Sequence, residues 1–205
     1  IKDIKKYNFD KIVIFNSSLR FYIISKLTGI PEIFQYPLFQ KPKQHITETP
    51  RNFLKEKFDL EVNEDPEIQL HKKFLDEAIE KFQIKKNEMN ILLGIGGSGP
   101  TKRIPANTFL NVMERLSKKT KCKFFLATGK NKEEQNLLDN ILQSKLKKFC
   151  ISLDDLSIKE ILPVIKNCNI SICNDTSFSH LSAALGVKTI TLMADTPLIY
   201  GSYSS

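Results

Sequence analysis

From residue 90 onward, short apolar runs alternate with helix-patterned stretches. The runs are 90–95, 122–127, 148–152, 169–173 and 188–193. Between them lie a helical stretch from Pro105, one at 131–143, one at 157–167 and a short one ending at Gly186. Strands separated by helices cannot pair as hairpins. They form a parallel sheet with helices on both faces. Right-handed crossovers then bring the loops after successive strands to one edge, where ligands of such sheets bind.

The helices carry their own marks. Phe109, Val112, Met113 and Leu116 form one apolar stripe, and Leu137, Leu138, Ile141 and Leu142 form another. Ser157 and Glu160 make a capping box at the head of the third helix, and Pro163 predicts a bend inside it.

The first ninety residues are less regular. The run 11–15 reads as a buried strand. Residues 17–28 read as a helix with Leu19, Tyr22, Ile23 and Leu27 on its apolar face and Gly29 as the stop. Residues 30–47, with Pro31, Pro37 and Pro42, are loop with room for one short strand. A helix opened by Pro50 spans 49–58. Asp65-Pro66 predicts the start of another, with Leu70, Phe74, Leu75, Ala78, Ile79 and Phe82 on one face. Lys85, Lys86 and Asn87 read as a linker, which gives two domains, 1–86 and 87–205. The chain opens at Ile1 and stops after Ser205 with no closing element, as expected of a fragment.

Charge is uneven. Residues 1–90 hold 16 Lys/Arg against 14 Asp/Glu, and residues 91–205 hold 15 against 9, within a formal net charge of +8. The basic half favours an anionic ligand: a nucleotide, a nucleic acid or a phosphorylated surface. A cluster at Lys118, Lys119, Lys121 and Lys123 lacks interleaved aromatics and a nucleic-acid motif, so no nucleic-acid partner is expected. No apolar run is long enough to span a membrane. Cys122, Cys150, Cys168 and Cys173 include no Cys-x-x-Cys pair, and are expected as small buried hydrophobes in a reducing compartment.

Two loops concentrate the chemistry. Residues 94–103, Gly-Ile-Gly-Gly-Ser-Gly-Pro-Thr-Lys-Arg, follow a strand and precede a helix. Glycines there allow close approach of backbone N–H groups to an anion, and Lys102 adds a full charge; Arg103 reads as either functional or structural. Gly94-x-Gly96-x-x-Gly99 also matches the dinucleotide fingerprint. Pro100 and Pro105, however, delay the helix, and the second strand ends Leu-Ala-Thr-Gly rather than in an acid. A nucleoside diphosphate is therefore favoured over a nicotinamide. The second loop, 174–180, offers Asp175, Thr176, Ser177 and His180 after a buried strand. Helix capping is the bland account; phosphate binding by N–H groups 176–178 and the hydroxyls is the functional one.

These stretches resemble glycosyltransferase family 9, the ADP-heptose:lipopolysaccharide heptosyltransferases. The resemblance is carried by Gly-Ser-Gly-Pro-Thr-Lys-Arg-Ile-Pro, by Ser152-Leu153 with the helix after it, by Asn-Asp-Thr-Ser-Phe-Ser-His-Leu-Ser-Ala-Ala-Leu-Gly, and by the tail 189–201. Residues 9–20 resemble the later part of the family's N-terminal domain. The resemblance implies a GT-B type α/β fold of two Rossmann-like domains, the N-terminal one incomplete. It implies that Thr101 and Lys102 hold phosphate, that Ser98 beside them binds substrate, that Glu133, or Glu134 beside it, is the acid near the nucleoside, and that Asp175, Thr176, Ser177 and His180 hold the diphosphate and sugar. Ser177 stands where the family usually has Gly, and Ile104 where it has an aromatic.

The reaction implied is inverting transfer of a heptose or related sugar from an ADP-sugar to a lipopolysaccharide acceptor. A base would deprotonate the acceptor hydroxyl and Lys102 with N–H groups 176–178 would stabilise the leaving diphosphate. The base is expected upstream of Ile1. No cofactor or metal is expected, and the protein is expected as a cytoplasmic monomer, peripheral on the inner membrane where its lipid-linked acceptor lies. The alternative is a nicotinamide- or nucleotide-binding Rossmann protein of other function.

Overall fold

The computed structural model describes residues 1–39, 45–97, 99–194 and Pro197. The chain forms two compact units, Ile1–Glu64 and Asp65–Pro197.

The first unit contains α1 (Lys2–Lys5), β1 (Lys11–Ile14), α2 (Leu19–Thr28), β2 (Glu32–Gln35) and α3 (Glu48–Phe58). β1 and β2 pair in parallel, with Lys11 opposite Glu32 and Ile14 opposite Gln35. α2 is capped by Ser18, whose hydroxyl accepts the Arg20 N–H, and stops at Gly29 in the left-handed region at φ 78°. Its buried residues are Ser25 and Thr28, while Leu19, Ile23 and Leu27 are exposed. The apolar face expected from spacing is thus the outer one, because periodicity finds a stripe without saying what covers it.

The second unit begins at Asp65, ahead of the expected boundary at 87. Residues 65–70 form no helix. The Ile68 N–H donates to the Ala184 carbonyl at 2.8 Å, and Ile68 and Leu70 pack on the core of this unit. α4 (Lys72–Phe82) starts only after His71, whose ring nitrogen accepts the Lys73 N–H. Buried Ala78, with Ile79 and Phe82, joins the same core, which is why α4 belongs to the second unit.

Beyond α4 the elements are β3 (Met89–Gly94), α5 (Ala106–Lys119), β4 (Cys122–Ala127), α6 (Lys132–Leu142), β5 (Cys150–Ser152), α7 (Ile158–Lys166), β6 (Ile170–Asn174), α8 (Ser177–Ala184) and β7 (Thr189–Leu192). Short 3₁₀ turns at Pro100–Lys102 and Lys145–Phe149 precede α5 and β5. α7 carries the expected capping box, with the Glu160 carboxylate accepting the Ser157 N–H at 2.9 Å and hydroxyl at 2.8 Å. The helix runs on through Pro163.

All five strands are parallel, in the order β5-β4-β3-β6-β7. Alternation along the strands splits the core into two layers. Ile91, Leu93, Phe124 and Leu126 pack with Phe109 and Met113 of α5 and Leu138 and Ile141 of α6. Leu92, Phe125 and Ala127 face Ile161, Val164 and Ile165 of α7 and Phe178 of α8. Each fully buried side chain of this size contributes about 1.5–3 kcal/mol. All four cysteines are free, three of them buried. Burial pushes the Cys150 and Cys173 thiols up to about 12. Among the described residues no helix is long and apolar enough to cross a membrane.

The order of these strands reverses between β3 and β6. From β3 the chain winds outward through β4 to β5, then returns to β6 and winds the other way to β7. That reversal is the topological switch point, where a parallel sheet leaves a crevice beyond its carboxyl ends.

Candidate functional site

Both loops singled out above leave the sheet at this crevice. Asn174, the last residue of β6, is fully buried, and its amide donates to the carbonyls of Ile95 at 2.9 Å and Gly96 at 3.0 Å. One side chain therefore ties the floor of the second loop to the first. Above it, Lys102 Nζ lies 2.8 Å from Asp175 Oδ2. Lys102 ends the Pro100–Lys102 turn, which is closed by the Lys102 N–H on the Gly99 carbonyl at 3.1 Å.

A cleft of about 480 Å³ opens at this edge. Gly96 and Gly97 come from the loop after β3, Thr128 and Gly129 from the end of β4, and Asp175, Thr176 and Ser177 from the loop after β6. Glu134 closes its floor, held on α6. Thr176 caps α8, so the helix presents the positive end of its dipole and its first N–H groups toward the cleft. The Thr176 hydroxyl is buried and has no hydrogen-bond partner. A buried hydroxyl left so is costly, and here it belongs to a residue that lines a cleft of ligand size.

The glycines of the first loop serve packing as well as approach. A Cβ on Gly94 would lie 2.7 Å from Cys173 Sγ, and one on Gly96 would lie 2.7 Å from Glu134 Oε2. Gly99 meets nothing within 4 Å and has φ −150°, a conformation open to any residue. The fingerprint's third glycine has no dinucleotide role in this geometry. The Gly97 N–H, expected to face a phosphate, donates instead to Glu134 Oε1 at 3.0 Å.

Lys102, Asp175, Thr176 and Ser177 are brought together. Thr101 is exposed on the turn beside Lys102. His180 lines an adjoining, more apolar hollow of about 560 Å³, with Pro66, Ile68 and Leu181; Ser177 borders both spaces. Glu133 is exposed, 3.9 Å from Arg103 across a weak ion pair, and Glu134 is the acid in the cleft. Ser98 lies outside the described residues, as does the tail beyond 194 apart from Pro197. Sequence reasoning passed over Thr128, Asn131 and Asn174. The sign available for Asn131 was its place three residues before Glu134, whose N–H its side chain caps at 2.9 Å. Among the described residues no cluster of metal-ligating side chains occurs.

Residues 34–202 match the family model described as glycosyltransferase family 9 (heptosyltransferase). The chain belongs to glycosyltransferase family 9. It is 29% identical over 120 residues to lipopolysaccharide heptosyltransferase 1 of Campylobacter coli, covering 58% of this chain and 35% of that protein. Its fold resembles the family 9 glycosyltransferase of Veillonella parvula, with a TM-score of 0.80 and 17% identity over 100% of this chain and 64% of the other. It also resembles the E. coli ADP-heptose LPS heptosyltransferase II, with a TM-score of 0.73 and 14% identity over 92% of this chain and 64% of that one. The chain thus spans about a third of the curated family relative and under two thirds of these structures. The likeness bears out the expected GT-B type α/β fold, with its parallel sheet flanked by helices.

Proposed function

We propose that the second unit is the donor-binding part of a heptosyltransferase, and that its switch-point cleft holds the diphosphate of an ADP-sugar. The observation that carries this reading is the contact of Lys102 with Asp175, a residue of the cleft lining, beside the Thr176 end of α8, whose buried hydroxyl is left unpaired. A cation, a helix N-terminus and an unpaired hydroxyl are complementary to phosphate oxygens. Family membership, and relatives whose names include heptosyltransferase and ADP-heptose, support a heptose or related sugar as the group transferred.

In the complete protein the sugar would pass, with inversion, to a lipopolysaccharide acceptor. As the bond to the diphosphate breaks, charge grows on its oxygens. Lys102 and the first N–H groups of α8 are placed to meet that charge. No residue is assigned as the base that deprotonates the acceptor. A cytoplasmic position, peripheral at the membrane that carries the acceptor, and a monomeric state complete the proposal. No resident cofactor or metal ion is assigned to the reaction.

Calorimetric titration of the chain with ADP, an ADP-sugar and NADH tests the reading. Binding of the first two, weakened in Lys102→Met, is expected. Heat from NADH alone, or from none of the three with folded protein, would overturn it in favour of a Rossmann unit of other function.

A further inference from the structure

Two glycine loops, the one after β3 with Gly97 and the one after β4 with Gly129, close on a group of the protein's own. Glu134 is 6% exposed. Its Oε1 accepts the Gly97 N–H at 3.0 Å; its Oε2 accepts the Thr128 hydroxyl at 3.1 Å and the Gly129 N–H. The absence of a Cβ at Gly96 leaves the room this carboxylate occupies. N–H groups converging from two loops on one carboxylate make the kind of concavity that elsewhere receives a phosphate.

We infer that Glu134 is a positioning residue: an internal anion that fills the N–H cradle of the glycine loops and directs a donor's phosphates to Lys102 and the first turn of α8. This rests on the reading of the cleft as a diphosphate site. The cradle's donors are already spent in charge-assisted bonds. A phosphate entering there would have to expel a buried carboxylate or lie against it with like charge. Asp175 and Thr176 line the same cleft, with Lys102 bound to Asp175 at 2.8 Å, so a cation and an unpaired hydroxyl stand at the β6–α8 loop while the carboxylate belongs to α6. Burial alone would raise the Glu134 pKa, but bonds from Gly97, Gly129, Asn131 and Thr128 more than offset this and hold it below the usual range. The group is an anion at neutral pH.

Backbone amide NMR on the full chain tests this. In the wild type, ADP is expected to shift the Ser177 and Phe178 amides and leave those of Gly97 and Gly129 in place. Glu134→Ala opens the cradle, so inorganic phosphate should then move the Gly97 and Gly129 amides, which it leaves unmoved in the wild type. Glu134→Gln keeps the shape for the case where the alanine variant does not fold. It should move both glycine amides upfield and weaken ADP about tenfold. Shifts of Gly97 and Gly129 with ADP as large as those of Ser177 and Phe178 in the wild type would overturn the inference. So would unmoved glycine amides in both variants. If ADP binds nowhere, the donor-site reading fails, and the phosphate response of the alanine variant still judges the cradle.

Discussion

Lys102 and Asp175 stand 73 residues apart in the chain and 2.8 Å apart in space, joining the two loops that flank the sheet's switch point. Asp175 is 6% exposed at its side chain and Lys102 is 30% exposed. The pair is a positional device more than a source of stability, since solvent still reaches the ammonium.

Replacing Lys102 with Met should lower stability by about 1 kcal/mol, a shift of a few degrees in Tm. The effect on ADP should be larger, about 10- to 100-fold in Kd, because the proposed diphosphate site loses its cation. Asp175→Asn should retain more ADP affinity than Lys102→Met. A double-mutant cycle in thermal denaturation should show the two changes to be non-additive. Strict additivity would mean that the contact does not hold the loops together.

The glycines of the first loop should differ sharply among themselves. Gly94→Ala meets Cys173 and Gly96→Ala meets the Glu134 carboxylate, each at 2.7 Å. Such overpacking costs about 1–3 kcal/mol. Gly99→Ala meets nothing and should fall within about 0.5 kcal/mol of the parent. Chemical denaturation of the three variants checks this order. A Gly99 variant as unstable as the Gly96 one would restore the dinucleotide fingerprint as the reason for the motif.

Much of this site was legible because it follows from topology. Apolar runs such as Ile91-Leu92-Leu93 announce buried parallel strands, and the rule that their following loops share an edge brings Lys102 to Asp175 before any contact is known. What was not legible depended on facing. Glu133 and Glu134 are adjacent acids, and resemblance alone points to either. On the helix, however, Glu134, Leu138 and Ile141 follow an i, i+4, i+7 stripe, and all three are buried. That stripe was readable and marks Glu134 as the inward acid. The Asp65-Pro66 start misled for a different reason. Proline after an acid suits a helix start and an irregular segment equally, and only the distant Ala184 carbonyl, which pairs with Ile68, decides between them. In α2 the exposed Leu19, Ile23 and Leu27 show the same limit of periodicity.

Acid should weaken the fold through Glu134. Its pKa is depressed in the folded protein relative to the ordinary value of 4.5. The stability it contributes is therefore fully present above that value and is lost as pH falls through the lower, folded pKa. Glu134→Gln should be less stable than the wild type at neutral pH, and the gap should narrow below pH 4.5 as the carboxyl protonates. Tm measured from pH 7 downward tests the sign. A gap that widens on acidification would show that burial, and not the N–H bonds, controls this group.

Thr176 gives a way to separate holding a ligand from holding the fold. Its hydroxyl is buried without a partner, so Thr176→Val removes no internal hydrogen bond and relieves an unsatisfied polar group. Such a change is neutral or slightly stabilising for the protein, within about 1 kcal/mol. If the hydroxyl instead waits for a phosphate oxygen, the same variant should bind ADP about tenfold more weakly, while Thr176→Ser, which keeps the hydroxyl, stays close to the parent. Denaturation and calorimetry on the same samples read the two effects side by side. Undiminished ADP binding by the valine variant would remove Thr176 from the diphosphate site, and a stability loss beyond about 2 kcal/mol would mean that the hydroxyl holds the head of α8.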